Sequence, residues 1–197
     1  MTSLDKDPSS EQLLTDFRDK MLAAFPSGVP DRETQLLFNG VNLRLNLKEA
    51  FKAGVAGVKL CFASAKIALT LTTTPAEVLG IGKDVFTVFA SGLASVRQRL
   101  HPLQYAACMV LSESDDGLSE QELVERLKEF IVKAKGVSFP WFLGLDPQGM
   151  ADAFAALEAT RDVGGLIGQI EKQGLVRRDG NKIRLRPVHF TWGFEGA

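Results

Sequence analysis

The sequence predicts a mainly α protein with a small β element near the end of the chain, and three observations predict it. Apolar residues recur at three- and four-residue spacing through most of the chain, the period of amphipathic helices. Ser9 with Gln12 and Ser119 with Glu122 have the spacing of capping boxes just ahead of such runs. Alternating apolar and polar residues are confined to short stretches, at 41–45, 175–186 and 188–194. The chain has 197 residues, 45% hydrophobic and 24% charged, an ordinary globular composition and enough for one large domain or two small ones. Arg97-Gln98-Arg99-Leu100-His101-Pro102 is the expected boundary, dividing an N-terminal helical domain (1–101) from a C-terminal one (102–197).

The first helix begins after Asp7-Pro8 and places Leu13, Phe17, Met21 and Ala24 on one face, until Phe25-Pro26-Ser27-Gly28 ends it. A β-hairpin is expected at 35–45, because Asn39-Gly40 supplies the positive φ of a tight turn and Val41, Leu43 and Leu45 alternate with polar residues. A short helix over 32–38 is the competing reading. Asn46 with Glu49 signals the N-cap of a long helix over 47–72. Its apolar stripe is Leu47, Phe51, Val55, Val58, Phe62, Ala65 and Leu69, and Lys52, Lys59 and Lys66 form a second stripe. Seven-residue spacing drifts only about 20° per step, so the three lysines share a face. The Thr70–Thr74 run and Pro75 break the helix. A second helix is predicted over 76–100, giving a long antiparallel hairpin (46–100) in which Gly54, Gly57, Gly80, Gly82 and Gly92 permit close approach.

Pro102 opens a further helix carrying Leu103, Ala106, Ala107 and Val110, and 113–117 turns the chain. Ser119 and Glu122 then start a helix with Leu118 and Leu123 placed as a hydrophobic staple and Leu123, Leu127, Phe130 and Ala134 facing the core. Glu122/Arg126 and Glu129/Lys133 are spaced for solvent-exposed ion pairs on its outer face. An aromatic loop, Phe139-Pro140-Trp141-Phe142-Leu143, leads to a helix opened by Asp146-Pro147 with Met150, Phe154 and Leu157 inward. The next helix is expected from Thr160, with Val163, Ile167 and Ile170 inward and Gly174 as its left-handed stop. Two short strands, 175–178 and 182–186, are joined through Asp179-Gly180-Asn181, and Val188 to Phe194 alternates in the manner of a further strand or a docking peptide.

Helix, helix, helix and terminal hairpin is an order that resembles the winged-helix superfamily, over about 102–187. The stretch Ile170-Glu171-Lys172-Gln173-Gly174-Leu175-Val176-Arg177-Arg178 is similar to a recognition-helix exit and first wing strand. The resemblance implies mainly α architecture with a C-terminal winged helix, and either DNA reading or protein interaction as the task. Two departures weaken DNA reading. Residues 135–159 insert between the second helix and the recognition candidate, where a DNA reader keeps a tight connection. That candidate offers only Arg161, Gln169 and Lys172 as donors among Gly164, Gly165 and Gly168.

The formal charge of -1 is unevenly spread: 34–105 holds eight basic residues against three acidic, and 106–197 eleven against fourteen. A global basic surface is excluded, so any nucleic-acid site must be local. The local candidate is Lys172, Arg177, Arg178, Lys182, Arg184 and Arg186, with Arg161 nearby; wing arginines contact phosphate, but arginines also protect an exposed sheet edge. Lys52, Lys59, Lys66, Trp141, Phe142 and Trp192 are the candidate partner or lipid surface.

Cys61 and Cys108 sit in apolar runs without ligand spacing, so neither a metal site nor a disulfide framework is expected. Gly80-Ile81-Gly82-Lys83-Asp84 fails as a phosphate loop, because Glu77 and Asp84 stand where Gly and Ser or Thr belong, and Val85 breaks the dinucleotide pattern. His101 and His189 lie in no catalytic motif. No enzyme, cofactor or small-molecule substrate is inferred. Residues 1–11 are polar, unlike a secretory signal, and Lys59, Lys66, Glu77, Lys83 and Asp84 interrupt the apolar region short of a membrane span, so a cytoplasmic location is expected. The expected function is a non-catalytic adaptor or regulatory subunit that binds a protein partner, or itself, through the helical hairpin and a degenerate winged helix. The alternatives are a winged-helix transcriptional regulator on double-stranded DNA and a helical hairpin active on anionic membranes.

Overall fold

The computed structural model describes residues 8–25, 43–63, 76 and 79–192. Among them the chain is mainly helical: α1 (Pro8–Ala23), α2 (Leu47–Ala63), α3 (Lys83–Arg99), α4 (Pro102–Ser112), α5 (Glu120–Ala134), α6 (Pro147–Thr160) and α7 (Val163–Lys172). Four strands, β1 (Leu43–Asn46), β2 (Val176–Asp179), β3 (Lys182–Leu185) and β4 (His189–Trp192), form two antiparallel pairs, β1 with β4 and β2 with β3.

Local signals place several helix ends. Asn46 Oδ1 accepts from the N–H groups of Lys48 (3.1 Å) and Glu49 (3.4 Å), capping α2. The Ser119–Glu122 box closes in both directions, at 3.2 Å from Glu122 N–H to Ser119 Oγ and 2.7 Å from Ser119 N–H to Glu122 Oε2. Gly174, at φ +75, stops α7. Leu175 N–H reaches Ile170 O (3.3 Å) and Gly174 N–H reaches Glu171 O (2.8 Å), the paired closure of a Schellman motif.

Other expectations shift. β1 forms where alternation predicts a strand, but its partner is β4, with Leu43 opposite Trp192 and Leu45 opposite Phe190; the expected arm over 35–42 lies outside the described residues. The second long helix does not run unbroken from 76: Gly80 takes φ +63 and the chain re-enters helix at Lys83, with Gly82 as N-cap. Residues 64–75 of the predicted hairpin lie outside the described set. Asp162, not Thr160, caps α7 by accepting from Gly165 N–H at 2.8 Å, because Arg161 in left-handed geometry (φ 55) has already ended α6. In α5 the fully buried face is Leu123, Leu127, Ile131 and Ala134, and Phe130, half-buried, packs against the core as expected.

Helix α4 is the centre of the molecule, buried at every position from Leu103 to Ser112. One apolar cluster joins it to Phe51 and Val55 of α2, Leu127 of α5, Phe154 of α6, Ile170 of α7 and Ile183 of β3, so the core runs across the 101/102 boundary. A second cluster unites Phe17 and Met21 of α1 with Phe89 and Leu93 of α3 and with Phe142. The glycines of α2 serve these contacts: a Cβ at Gly54 would lie 2.8 Å from Met109 of α4, and one at Gly57 3.0 Å from Leu143 and 3.2 Å from Phe17. Close approach is therefore made to α4, α1 and the 140s loop. Met109 is flexible at its end, so Gly54 marks the approach without strictly requiring it.

Candidate functional site

The β2–β3 hairpin carries most of the basic residues singled out in the sequence, and its register sorts them. Val176 is opposite Leu185, Arg177 opposite Arg184, Arg178 opposite Ile183 and Asp179 opposite Lys182. Val176, Ile183 and Leu185 are buried, which turns Arg177 and Arg184 to the other side of the ribbon. A single-residue bridge extends the ribbon: Leu118 N–H donates to Ile183 O at 3.0 Å and Ile183 N–H to Leu118 O at 2.7 Å. Gly117, at φ +77, lets this backbone come so close.

Carboxylates from three neighbouring segments engage part of this basic set. Arg178 Nη1 donates to Glu120 Oε1 at 2.7 Å, with Glu171 3.9 Å from its Nε. Lys182 Nζ donates to Glu122 Oε2 at 2.8 Å. The lysine bond and the Ser119 N–H hold the Glu122 carboxyl at about 2, well below its ordinary range. Arg184 Nε donates to Asp116 O at 3.1 Å and lies 3.6 Å from Asp179. Arg161, Lys172, Arg177 and Arg186 are exposed, and among the described residues their side chains make no ion pair or hydrogen bond. The expected Glu122/Arg126 pair is absent among these residues, because Glu122 is already held by Lys182 and Ser119.

Gln169, expected as a donor on the recognition candidate, is tethered through its amide oxygen. Gln104 Nε2 of buried α4 donates to Gln169 Oε1 at 2.6 Å, and Gln104 Oε1 accepts from His101 N–H at 3.0 Å.

The lysine stripe of α2 meets the loop after α4. Lys48 and Lys52 donate to Asp115 Oδ1 at 2.8 and 3.3 Å, and Lys59 pairs with Glu113. The two hydrogen bonds hold the Asp115 carboxyl below its usual value. Lys66 lies outside the described residues. Lys52 and Lys59 are thus engaged with the protein itself, and among the described residues no helix is long and apolar enough to cross a membrane.

The aromatic loop divides between core and surface. Phe142 is a core residue and not a surface anchor: it is 1% exposed, between Phe17 (6.5 Å, stacked) and Phe86 (5.0 Å, edge-on). Trp141, next to it in the 3-10 turn Trp141–Leu143, is 62% exposed. The turn is pinned by Tyr105 Oη, which donates to Leu143 O at 2.9 Å, and by Arg97 Nε, which donates to Gly144 O at 3.0 Å. Trp192 has its backbone in β4, and its side chain lies outside the described residues.

Among the described residues no three of His, Cys, Asp and Glu are grouped to hold a metal ion. Cys108 is buried, which pushes its thiol up to about 12, and partial burial raises Cys61 to about 11, so both stay protonated near neutrality. No family model, curated protein or solved structure matches this chain.

Sequence reasoning missed the acidic side of this surface. Glu122 was legible as a cap but not as the partner of Lys182, and Glu113 and Asp115 read only as turn residues. Asp179 opposite Lys182 follows from the turn Gly180-Asn181 once the hairpin is assumed.

Proposed function

We propose that the protein is a non-catalytic interaction module, an adaptor or regulatory subunit that works by binding another protein. In this reading 102–197 is a winged-helix-like domain with an insertion at 135–159. The order α4, α5, α7, β2, β3 supports it, as does the single-residue Leu118–Ile183 bridge that ties the segment before α5 to the hairpin.

The chemistry of α7 carries the choice of protein over DNA. Its exposed residues and flanks are Arg161, Asp162, Gly164, Gln169, Glu171, Lys172 and Gln173, two carboxylates against two cations with no net positive charge, and Gln169 is tied to Gln104 through its oxygen. A helix that reads the major groove needs free donors and a positive field, and this one has little of either. Trp141 supplies the opposite kind of surface, a large apolar side chain on a turn whose neighbours Pro140, Phe142 and Leu143 are buried. Rigid exposed tryptophan concentrates binding energy at protein interfaces.

Size-exclusion chromatography with light scattering and a pull-down with the full chain test the reading. Self-association or a captured protein, weakened by Trp141→Ala, is the expected result. A strictly monomeric chain with an empty pull-down overturns it.

A further inference from the structure

We infer that the outward face of the β2–β3 hairpin is a docking surface for an acidic, extended segment of a partner protein. The inference rests on the protein-binding reading and adds the partner's chemistry.

Arg177 and Arg184 are directly opposed on neighbouring strands. Like charges in that position destabilise a ribbon, and the chain makes little use of the pair internally. Arg177 has no ion pair or hydrogen bond among the described residues, and Arg184 uses only its Nε, towards Asp116 O and Asp179. The ladder continues one step beyond β3, where Arg186 N–H donates to Leu175 O at 2.7 Å. Strand alternation therefore brings exposed Arg186 to the face of Arg184, about 7 Å along the strand. The result is a triangle of guanidinium groups, each with donors to spare and planar forks suited to carboxylate.

Two features select a short acidic peptide over a nucleic-acid duplex. The triangle is ringed on its own face by the protein's carboxylates, with Asp179 at Arg184 and Glu122 at Lys182, which shares that face by alternation. A long rigid polyanion would run its phosphates past that ring, whereas a short segment touches the triangle alone. The second feature is spacing. An extended chain with Asp or Glu at alternate positions presents carboxylates about 7 Å apart, the repeat that separates Arg184 from Arg186. The neighbouring Lys182, on the same face by alternation, already donates to a carboxylate, that of Glu122, at 2.8 Å.

Fluorescence anisotropy with the full chain tests this, using a short labelled peptide of alternating Glu and Thr, the same peptide with Gln for Glu, and a labelled DNA duplex. The Glu peptide is expected to bind, to weaken with salt, and to lose affinity by about tenfold or more on Arg177→Gln with Arg186→Gln, both exposed and unpaired. Arg178→Gln, which removes a structural pair behind the face, is expected to leave peptide affinity within about twofold. No binding of the Glu peptide, equal binding of the Gln peptide, tighter binding of the duplex, or a double variant that binds as well as the parent overturns the inference. Failure here leaves the protein-binding reading to the pull-down. Peptide binding with an empty pull-down strikes that reading and not the surface.

Discussion

Lys182 of β3 fastens itself to Glu122, the partner of Ser119 in the capping box of α5, at 2.8 Å. One carboxylate thus accepts from the Ser119 N–H, completing the capping box, and from the hairpin lysine. The helix start and the wing are joined through a single side chain.

Glu122→Gln is expected to lower the melting temperature at neutral pH. The folded carboxyl sits at about 2 against an ordinary 4.5, so its stabilisation is complete above about 4.5 and is lost as pH falls towards 2. Thermal melts across that window check this: the gap between parent and variant should close on acidification. A gap that is constant with pH refutes the assignment.

Gly117→Ala is expected to cost about 2–3 kcal/mol in chemical denaturation. An added Cβ would lie 2.7 Å from Ile183 O and 2.6 Å from Arg184 Cγ, in a backbone held at φ +77. Gly174→Ala has the same left-handed backbone (φ +75) and open space, so about 1–2 kcal/mol is expected. The order of the two losses separates crowding from backbone strain.

Phe142→Ala is expected to destabilise by about 3–5 kcal/mol, through the cavity it leaves between Phe17 and Phe86. Trp141→Ala, one residue away, should change stability by no more than about 0.5 kcal/mol. Denaturation of both variants, with partner capture measured on the second, divides the core role from the surface role.

Tyr105→Phe removes the hydroxyl that donates to Leu143 O inside the core. The loss expected is about 1–3 kcal/mol, because the carbonyl is left without its donor. Calorimetry reads it, and the variant should also loosen the turn that presents Trp141, giving faster proteolysis there.

Helix ends were legible because caps depend on residues three or four apart, whose distances the helix itself sets. Asn46 with Glu49, Ser119 with Glu122, and Gly174 each announce a local hydrogen bond that forms wherever the rest of the chain goes. The same holds for the apolar stripe of α5, in which Phe130 packs on the core as expected and Ile131 is buried beside it.

What the basic and acidic residues do to one another was not legible. Lys182 meets Glu122 across 60 positions of chain and Lys48 meets Asp115 across 67, distances set by how α2, α4 and the hairpin pack. The lysine stripe looks free on a helical wheel and is engaged in three dimensions. β1 and β4 likewise pair across most of the chain, although the Asn39-Gly40 turn promised a local partner. The residue pattern carries the helical class, the caps and the hairpin register, since these follow from backbone periodicity. The division of the wing into tied cations and free arginines arises from packing, because α5 and α7 bring carboxylates within reach of Arg178 and Lys182 and not of Arg177 and Arg186.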